Sequence, residues 1–483
     1  MNDPIGASAT ALADAIRAGD ISAETVLDAH LDRIADHDDL NAFVTLIEES
    51  AREQARRADE AAEAGEDLGP LHGVPVAIKD LMQRKAGVRN TLGLAPLSDH
   101  VAETDSVTVE RLEAAGAVIL GTTNTPALGH TIKTDNRLQG STPTPFDHDH
   151  SAGGSSGGSA AALAAGLTTI ATGSDIGGSL RIPASCCHVA SIKPTFGRVP
   201  SESEGLDRFN DHSPFMVLGP LARTIEDVAL AYDLLAGPDD RDPFSVPDTP
   251  PVRDQIDRPA EEFSAAYSPN LDLQPVDPEV REIVGDAVDD LASAGITVDE
   301  RDPDLPSYAD LSQAYMAQVG LSFAAIATQI EEQFDIDFET ADVVDTVPST
   351  IALGRDADAL ETQLQNIPRT AAYDAIEAVL DEYDVLITPT LTVPPYSRDL
   401  VDGYPTEIDG EDVMGVPTDQ MLTWVFNVTG HPVAAVPAGR TDDGLPVGLQ
   451  IVGSRYAEAD VLAVAKHLED VRPWAGEYPF VTE

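Results

Sequence analysis

The chain has 483 residues, 42% of them hydrophobic, which is ample for a buried core and excludes wholesale disorder. Asp and Glu number 84 against 29 Lys and Arg, a net charge of −55, so a basic patch for nucleic acid or anionic membrane is not expected. No apolar run reaches the about 18 residues of a membrane span, and no basic start with an apolar core marks a secretory signal, so the chain reads as soluble and cytoplasmic.

In chain order, the first 65 or so residues read as helices. Ser22 opens an apolar series at helical spacing (Val26, Leu27, Leu31, Ile34), and Glu48 to Ala64 is rich in Ala and charge. Val74 to Ile78 is a short apolar strand containing Pro75, followed at once by Lys79 and Asp80. Asp105 to Ala115 makes an amphipathic helix with Gly116 placed to cap it, and Ala117 to Leu120 runs as a buried strand. A Gly/Ser-rich loop, Gly153 to Gly158, leads into an Ala-rich helix, and Thr168 to Ala171 returns as strand. Pro238 to Pro278 has many Pro and Asp and no periodicity, so it reads as an extended surface connection or hinge. A helix then starts at Asp277-Pro278 and runs to about Ser293. Val433 to Ala438 and Pro446 to Val452 form a hairpin across Arg440-Thr-Asp-Asp-Gly444, and a helix follows from about Ala457 to Leu468. Alternating strand and helix predict an α/β layered fold built as one domain.

Two segments carry the chemistry: Ser151-Ala-Gly-Gly-Ser-Ser-Gly-Gly-Ser159 and Gly173-Ser-Asp-Ile-Gly-Gly-Ser-Leu-Arg181. Glycine at this density lets successive N–H groups converge on an anion or oxyanion beside a hydroxyl nucleophile. No Gly-Lys-Ser/Thr follows the first loop and no G-x-G-x-x-G fits, so phosphate and dinucleotide loops fail. Gly154-Ser-Ser-Gly-Gly158 does satisfy the nucleophile-elbow pattern, with Ser156 at its centre. A serine nucleophile needs a base, and none of the 11 histidines stands in register with these loops. Lys79 is the other candidate. Burial lowers a lysine's pKa, and this is one of only five lysines. Cys186 and Cys187 are adjacent, which rules out a disulfide framework and favours two buried hydrophobes. His148 and His150 belong to an acidic loop and do not make a metal site, and no cofactor is expected.

At this point the residues resemble the amidase signature family: Val-Pro-Val-Ala-Ile-Lys79-Asp80, Gly153-Gly-Ser155-Ser-Gly-Gly-Ser-Ala-Ala, Gly173-Ser-Asp-Ile-Gly-Gly-Ser179-Leu-Arg-Ile-Pro and Lys193-Pro-Thr-Phe-Gly-Arg. Ala115-Gly-Ala-Val-Ile-Leu-Gly-Thr-Thr-Asn124, Leu218-Gly-Pro-Leu-Ala-Arg-Thr224 and Gly444-Leu-Pro-Val-Gly-Leu-Gln-Ile-Val-Gly453 extend the likeness over nearly the whole chain, weakest from Pro238 to Arg369. The resemblance implies a single large α/β domain with a central mixed, twisted sheet covered by helices. Its parts would be a helical region over about 1–65, a catalytic core over about 66–237 and 385–483, and a variable helical insertion over about 238–384. It implies a Ser–cis-Ser–Lys triad: Ser179 as nucleophile, Ser155 bridging in a cis peptide, Lys79 as base. The N–H groups of Ile176, Gly177, Gly178 and Ser179 would form the oxyanion hole. Asp175 and Arg181 would support the loops, and Ser156 and Ser174 would be loop-supporting or oxyanion-adjacent hydroxyls.

The implied activity is hydrolysis of a small carboxamide, through a serine acyl-enzyme, to a carboxylate plus ammonia or an amine. The glutaminase subunit of a tRNA-dependent amidotransferase competes with this reading, yet its usual acidic position before the Asn427-Val-Thr-Gly430 turn is Gln420 here. A Ser156-based esterase and an idle binding protein are the readings outside this class. Specificity is expected from loops around Thr125 to Gln139, from helices near Tyr315 and Phe323, and from Trp424. The partner is a small-molecule amide, and a homodimer is common among similar enzymes. The acidic, lysine-poor composition fits adaptation to concentrated salt.

Overall fold

A computed structural model of the chain describes residues 3–66, 68–209, 215–247, 250–400 and 403–482. Three helices open it: α1 (Ala9–Arg17), α2 (Ala23–Asp36) and α3 (Glu48–Ala64). Ser22 caps α2 by accepting the Thr25 N–H at 3.0 Å. Between α2 and α3 lies a strand that the helical reading of this region misses, β1 (Phe43–Leu46). Four residues are too few to show a period, and only pairing with a neighbour defines them.

The next strands are β2 (Pro75–Lys79) and β3 (Val118–Thr123). Four short ribbon strands follow: β4 (Asp135–Asn136), β5 (Gly140–Ser141), β6 (Pro143–Thr144) and β7 (Asp147–Ser151). Then come β8 (Ile170–Asp175), β9 (Ala190–Lys193), β10 (Val217–Ala222), β11 (Ser264–Tyr267) and β12 (Thr297–Glu300). The last are β13 (Val385–Pro389), β14 (Glu407–Ile408), β15 (Glu411–Asp412), β16 (Val433–Arg440) and β17 (Pro446–Gly453). Eleven strands join one sheet in the order β1-β3-β2-β8-β10-β9-β16-β17-β13-β11-β12. It is mixed: β2 runs parallel to β3 and β8, β10 is antiparallel to β8 and β9, and β11 is parallel to β13 and β12.

Every residue of β2, β3, β8, β9, β10, β13 and β17 is buried. That is the pattern of strands covered on both faces, so they read as continuous apolar runs. Covering helices include α4 (Val107–Ala114), α5 (Gly157–Ala164), α6 (Arg181–Cys186), α7 (Ile225–Leu235) and α8 (Pro278–Ala294). All eight residues of α5 are buried against β2, β8 and β10, which only Gly, Ser, Ala and one Leu make possible at such close range. The α/β class read from the alternation is therefore the architecture found. The Pro238 to Pro278 stretch differs from its reading as plain connection, because β11 lies inside it and pairs with β13.

The long helix α9 (Tyr308–Phe334) packs on α10 (Thr346–Arg355) through Gly320 and Gly354. A Cβ on Gly354 would lie 1.9 Å from the Gly320 carbonyl oxygen, so Gly354 needs glycine or a shifted helix, whereas a Cβ on Gly320 would find its nearest neighbours at 3.5 Å. These two helices join Leu94, Leu97 and Ala127 in a second apolar cluster that includes Ala327, Ile330 and Val347, apart from the main core. Helices α11 (Ala359–Leu364), α12 (Asn366–Leu380), α13 (Trp424–Thr429) and α14 (Glu458–Val471) complete the layers.

Candidate active site

Lys79 is the last residue of β2, held between β3 and β8, with its backbone N–H donating to Thr172 Oγ1 at 3.2 Å. Its side chain is fully buried. Burial disfavours the ammonium form and brings its pKa down to about 7, against an opposing pull from Asp175. Nζ lies 2.8 Å from Ser155 Oγ and 3.0 Å from Ser174 Oγ. Ser174 is the lysine partner that sequence reasoning misses, since the motif suggests a loop-supporting or oxyanion-adjacent hydroxyl there. The available signal is strand alternation: Thr172 and Ser174 share one face of β8, and both meet Lys79.

Ser155 stands just before α5, and the Gly154–Ser155 peptide is cis. The glycines here are required by proximity. A Cβ on Gly154 would sit 2.7 Å from the Lys133 carbonyl carbon, and one on Gly158 would sit 2.3 Å from the Asn124 backbone nitrogen. Helix α5 already begins at Gly157, so the loop is shorter than its composition suggests. Ser156 donates its N–H to the Ser179 carbonyl at 3.2 Å and tethers the two glycine-rich segments. Its hydroxyl is buried and lies 3.4 Å from both the N and O of Ser174. A nucleophile elbow needs an exposed hydroxyl, so this placement argues against the Ser156 esterase.

The second segment is pinned by Asp175. Burial alone would push its carboxyl up; the Arg181 charge, its hydrogen bonds and Asn427 bring it down to about 2. Arg181, fully buried, donates from Nε and Nη2 to the two Asp175 oxygens at 3.0 Å each. It also reaches the Thr423 carbonyl and Gln450 Oε1, both at 2.8 Å, and Asn427 Oδ1 at 2.5 Å. Asn427, singled out in the sequence only as a turn residue, donates to Asp175 Oδ1 at 2.8 Å.

Asp175 also accepts the Gly178 N–H at 2.7 Å and the Leu180 N–H at 3.1 Å. Gly178 is thus occupied as a donor, unlike its assignment to the oxyanion hole. The N–H groups of Ile176, Gly177 and Ser179 have no acceptor among the described residues. Thr423 Oγ1 fixes the Gly177 carbonyl at 2.6 Å.

Ser155, Ser174, Ile176 and Ser179 line one cavity of about 120 Å³. Its walls are mostly apolar: Leu81, Met82, Leu128, Met216, Phe323 and Phe334. Among the described residues the Ser179 hydroxyl makes no hydrogen bond, including to Ser155, although both face this space. Arg84 and Glu204 stand at the polar end, where Arg84 donates to Glu202 Oε2 at 2.6 Å and Thr104 Oγ1 donates to Glu204 at 3.0 Å. Of the specificity candidates, Phe323 and Leu128 line the cavity, while Trp424 is fully buried behind Tyr315. Gln420 is buried with neither side-chain amide atom partnered among the described residues, and no carboxylate occupies that position.

His148 and His150 lie 3.4 and 3.0 Å from Asp39 and Asp147. Among the described residues no group of three His, Cys, Asp or Glu side chains could hold a metal. Cys186 and Cys187 are free and buried, and burial pushes both thiols up, away from a reactive thiolate. No helix among the described residues is long and apolar enough to cross a membrane.

The model of the family described as Amidase matches residues 25–462. An acylamidase of Rhodococcus erythropolis is 34% identical over 474 residues, 98% of this chain and 97% of its own length. A glutamyl-tRNA(Gln) amidotransferase subunit from a Synechococcus species is 32% identical, covering 94% of each. The crystal structure of a bacterial aryl acylamidase of the amidase signature family superposes with a TM-score of 0.92 at 31% identity, over 98% of this chain and 97% of that one. With the eleven-stranded mixed sheet and the glycine-rich site in place, the chain belongs to the amidase signature family and is an amidohydrolase, cleaving carbon–nitrogen bonds of amides.

Proposed function

We propose that the protein hydrolyses a carboxamide carrying one sizeable apolar group, aromatic or branched aliphatic, through a Ser179 acyl-enzyme. The observation that carries this reading is a fully buried lysine amine, pKa about 7, with two serine hydroxyls within 3.0 Å of its nitrogen, opening on an apolar cavity. A neutral amine has two N–H bonds and one lone pair. Donating to Ser174 leaves the lone pair for the Ser155 proton. Ser155 in turn takes the Ser179 proton as Ser179 Oγ attacks the amide carbon. Hydrogen bonds of this kind often tighten only once substrate is bound, which accommodates the open Ser179 hydroxyl. The N–H groups of Ile176, Gly177 and Ser179 receive the developing oxyanion. The relay then protonates the leaving nitrogen, the C–N bond breaks, and water hydrolyses the ester with Lys79 again as base.

The amidotransferase relative keeps a second reading in view, that of a glutaminase. The apolar walls and the amide at Gln420 favour the free-standing enzyme, since glutamine's ammonium wants a carboxylate. Ammonia release from phenylacetamide, benzamide and glutamine by the purified protein tests this. Turnover of the aromatic amides, abolished in Ser179→Ala and kept within about threefold in Ser156→Ala, is the expected result. Glutamine turnover that depends on a second protein would reverse the choice.

A further inference from the structure

Diverting the Gly178 N–H to Asp175 leaves the oxyanion site one backbone donor short of the four that the motif offers. A side chain packs against the preceding glycine of the same loop. Tyr315, reaching in from α9, presses its hydroxyl onto the oxyanion loop: a Cβ built on Gly177 would lie 2.1 Å from the phenol oxygen. Tyr315 is only 7% exposed, and its ring is clamped on both sides. Phe215 stacks at 6.3 Å and Trp424 tilts against it at 5.6 Å. The column continues outward at both ends. Arg369 caps Phe215 at 4.6 Å, and Tyr308 meets Trp424 edge-on at 6.0 Å, with its own hydroxyl on Asp419 Oδ1 at 2.5 Å. The ring is therefore held rigidly.

The hydroxyl at its tip is another matter. Among the described residues it has no hydrogen-bond partner, in contrast to Tyr308, whose hydroxyl is anchored to Thr418 and Asp419. Burial and the nearby Asp175 carboxylate push its acidity far from the range where a phenol ionises, so it is a neutral donor. Packing in the column would be served as well by phenylalanine, so the hydroxyl is what sets this residue apart. Gly177, which it touches, has a backbone N–H that likewise lacks an acceptor among the described residues.

We propose that the Tyr315 hydroxyl donates a hydrogen bond to the substrate's carbonyl oxygen and takes the place of the diverted Gly178 N–H in stabilising the oxyanion. This rests on the Ser179 acyl-enzyme reading above. It assigns a catalytic residue to the helical layer, far in sequence from the glycine-rich motifs. The reacting atoms stay the same: no proton leaves the phenol, and it acts as a fixed dipole.

Tyr315→Phe tests it, because the ring column is retained. The expected result is a fall in kcat on phenylacetamide of about 100-fold with KM changed by less than about threefold, the mark of a contact made in the transition state. Inhibition by phenylboronic acid, which forms a tetrahedral adduct on a serine, should weaken by a similar factor, and the melting temperature should stay as in wild type. An active wild type matched within threefold by Tyr315→Phe overturns this proposal alone. So does a drop in kcat with unchanged boronate affinity. A wild type inactive on every amide overturns the Ser179 reading first, and this one with it.

Discussion

Lys79 can accept a proton only when uncharged, and its burial sets the pH at which that happens. With a pKa near 7, kcat/KM should climb with pH through about 7 and level off above it, and a profile flat down to pH 5 would contradict the assignment. The same shift bears on stability. An unfolded lysine keeps its proton to near 10.5, so between about 7 and 10.5 the unfolded chain binds more protons than the folded one, and stability rises with pH. Burial and the Arg181 charge bring Lys193 down to about 7 as well, and it adds to the rise. Lys79→Met should remove about half of that rise in urea unfolding measured at pH 7 and pH 10; an unaltered slope would sink the argument. Glycine density marks the two segments that hold Ser155 and Ser179, and scarcity marks Lys79, but only the family resemblance singles out those two serines among their neighbours. Ser174 and Tyr315 are not legible in the sequence. The first depends on β8 running on to Asp175, beyond where its apolar stretch stops, and the second on how α9 lies across the sheet.

Helices α6 and α13 meet at one buried carboxylate, Asp175 at the end of β8, and strand β17 joins them through Gln450, which accepts from Arg181. Removing a partner from such a pair leaves a charge in low dielectric, so Arg181→Met should cost about 3–5 kcal/mol by urea denaturation. A loss under about 1 kcal/mol would mean that Asn427 and the N–H groups suffice on their own. Gly158→Ala tests the packing of α5. Its Cβ would meet backbone on two sides, at Asn124 and Ala42, neither of which can rotate away, so little folded protein should be recovered. Strands flanking the site are readable from their apolar runs, but their ends are not. Both β3 and β8 continue into the polar residues Thr122–Thr123 and Ser174–Asp175, which pairing with neighbours holds in the sheet and hydrophobicity does not advertise. β1 and β11 lie at or near the sheet's two margins, and only the assembled sheet reveals them.

Taken whole, the molecule carries an acidic excess that its own cations cannot neutralise, since pairing all 29 would leave a charge of −55. Repulsion among the remainder opposes compaction and weakens as counterions shorten the screening length from about 10 Å at 0.1 M to about 3 Å at 1 M. The melting temperature should therefore rise between about 0.05 M and about 2 M KCl, and an equal value at both would refute the electrostatic account. The second apolar cluster has a different consequence. Ile330 belongs to it and also borders the cavity of the candidate active site, yet the sheet's core lies elsewhere. Changes of shape there reach the cavity wall without passing through the sheet's own core. Laboratory selection for new amides should consequently accumulate its changes in this annex, where the cavity wall is built apart from the sheet.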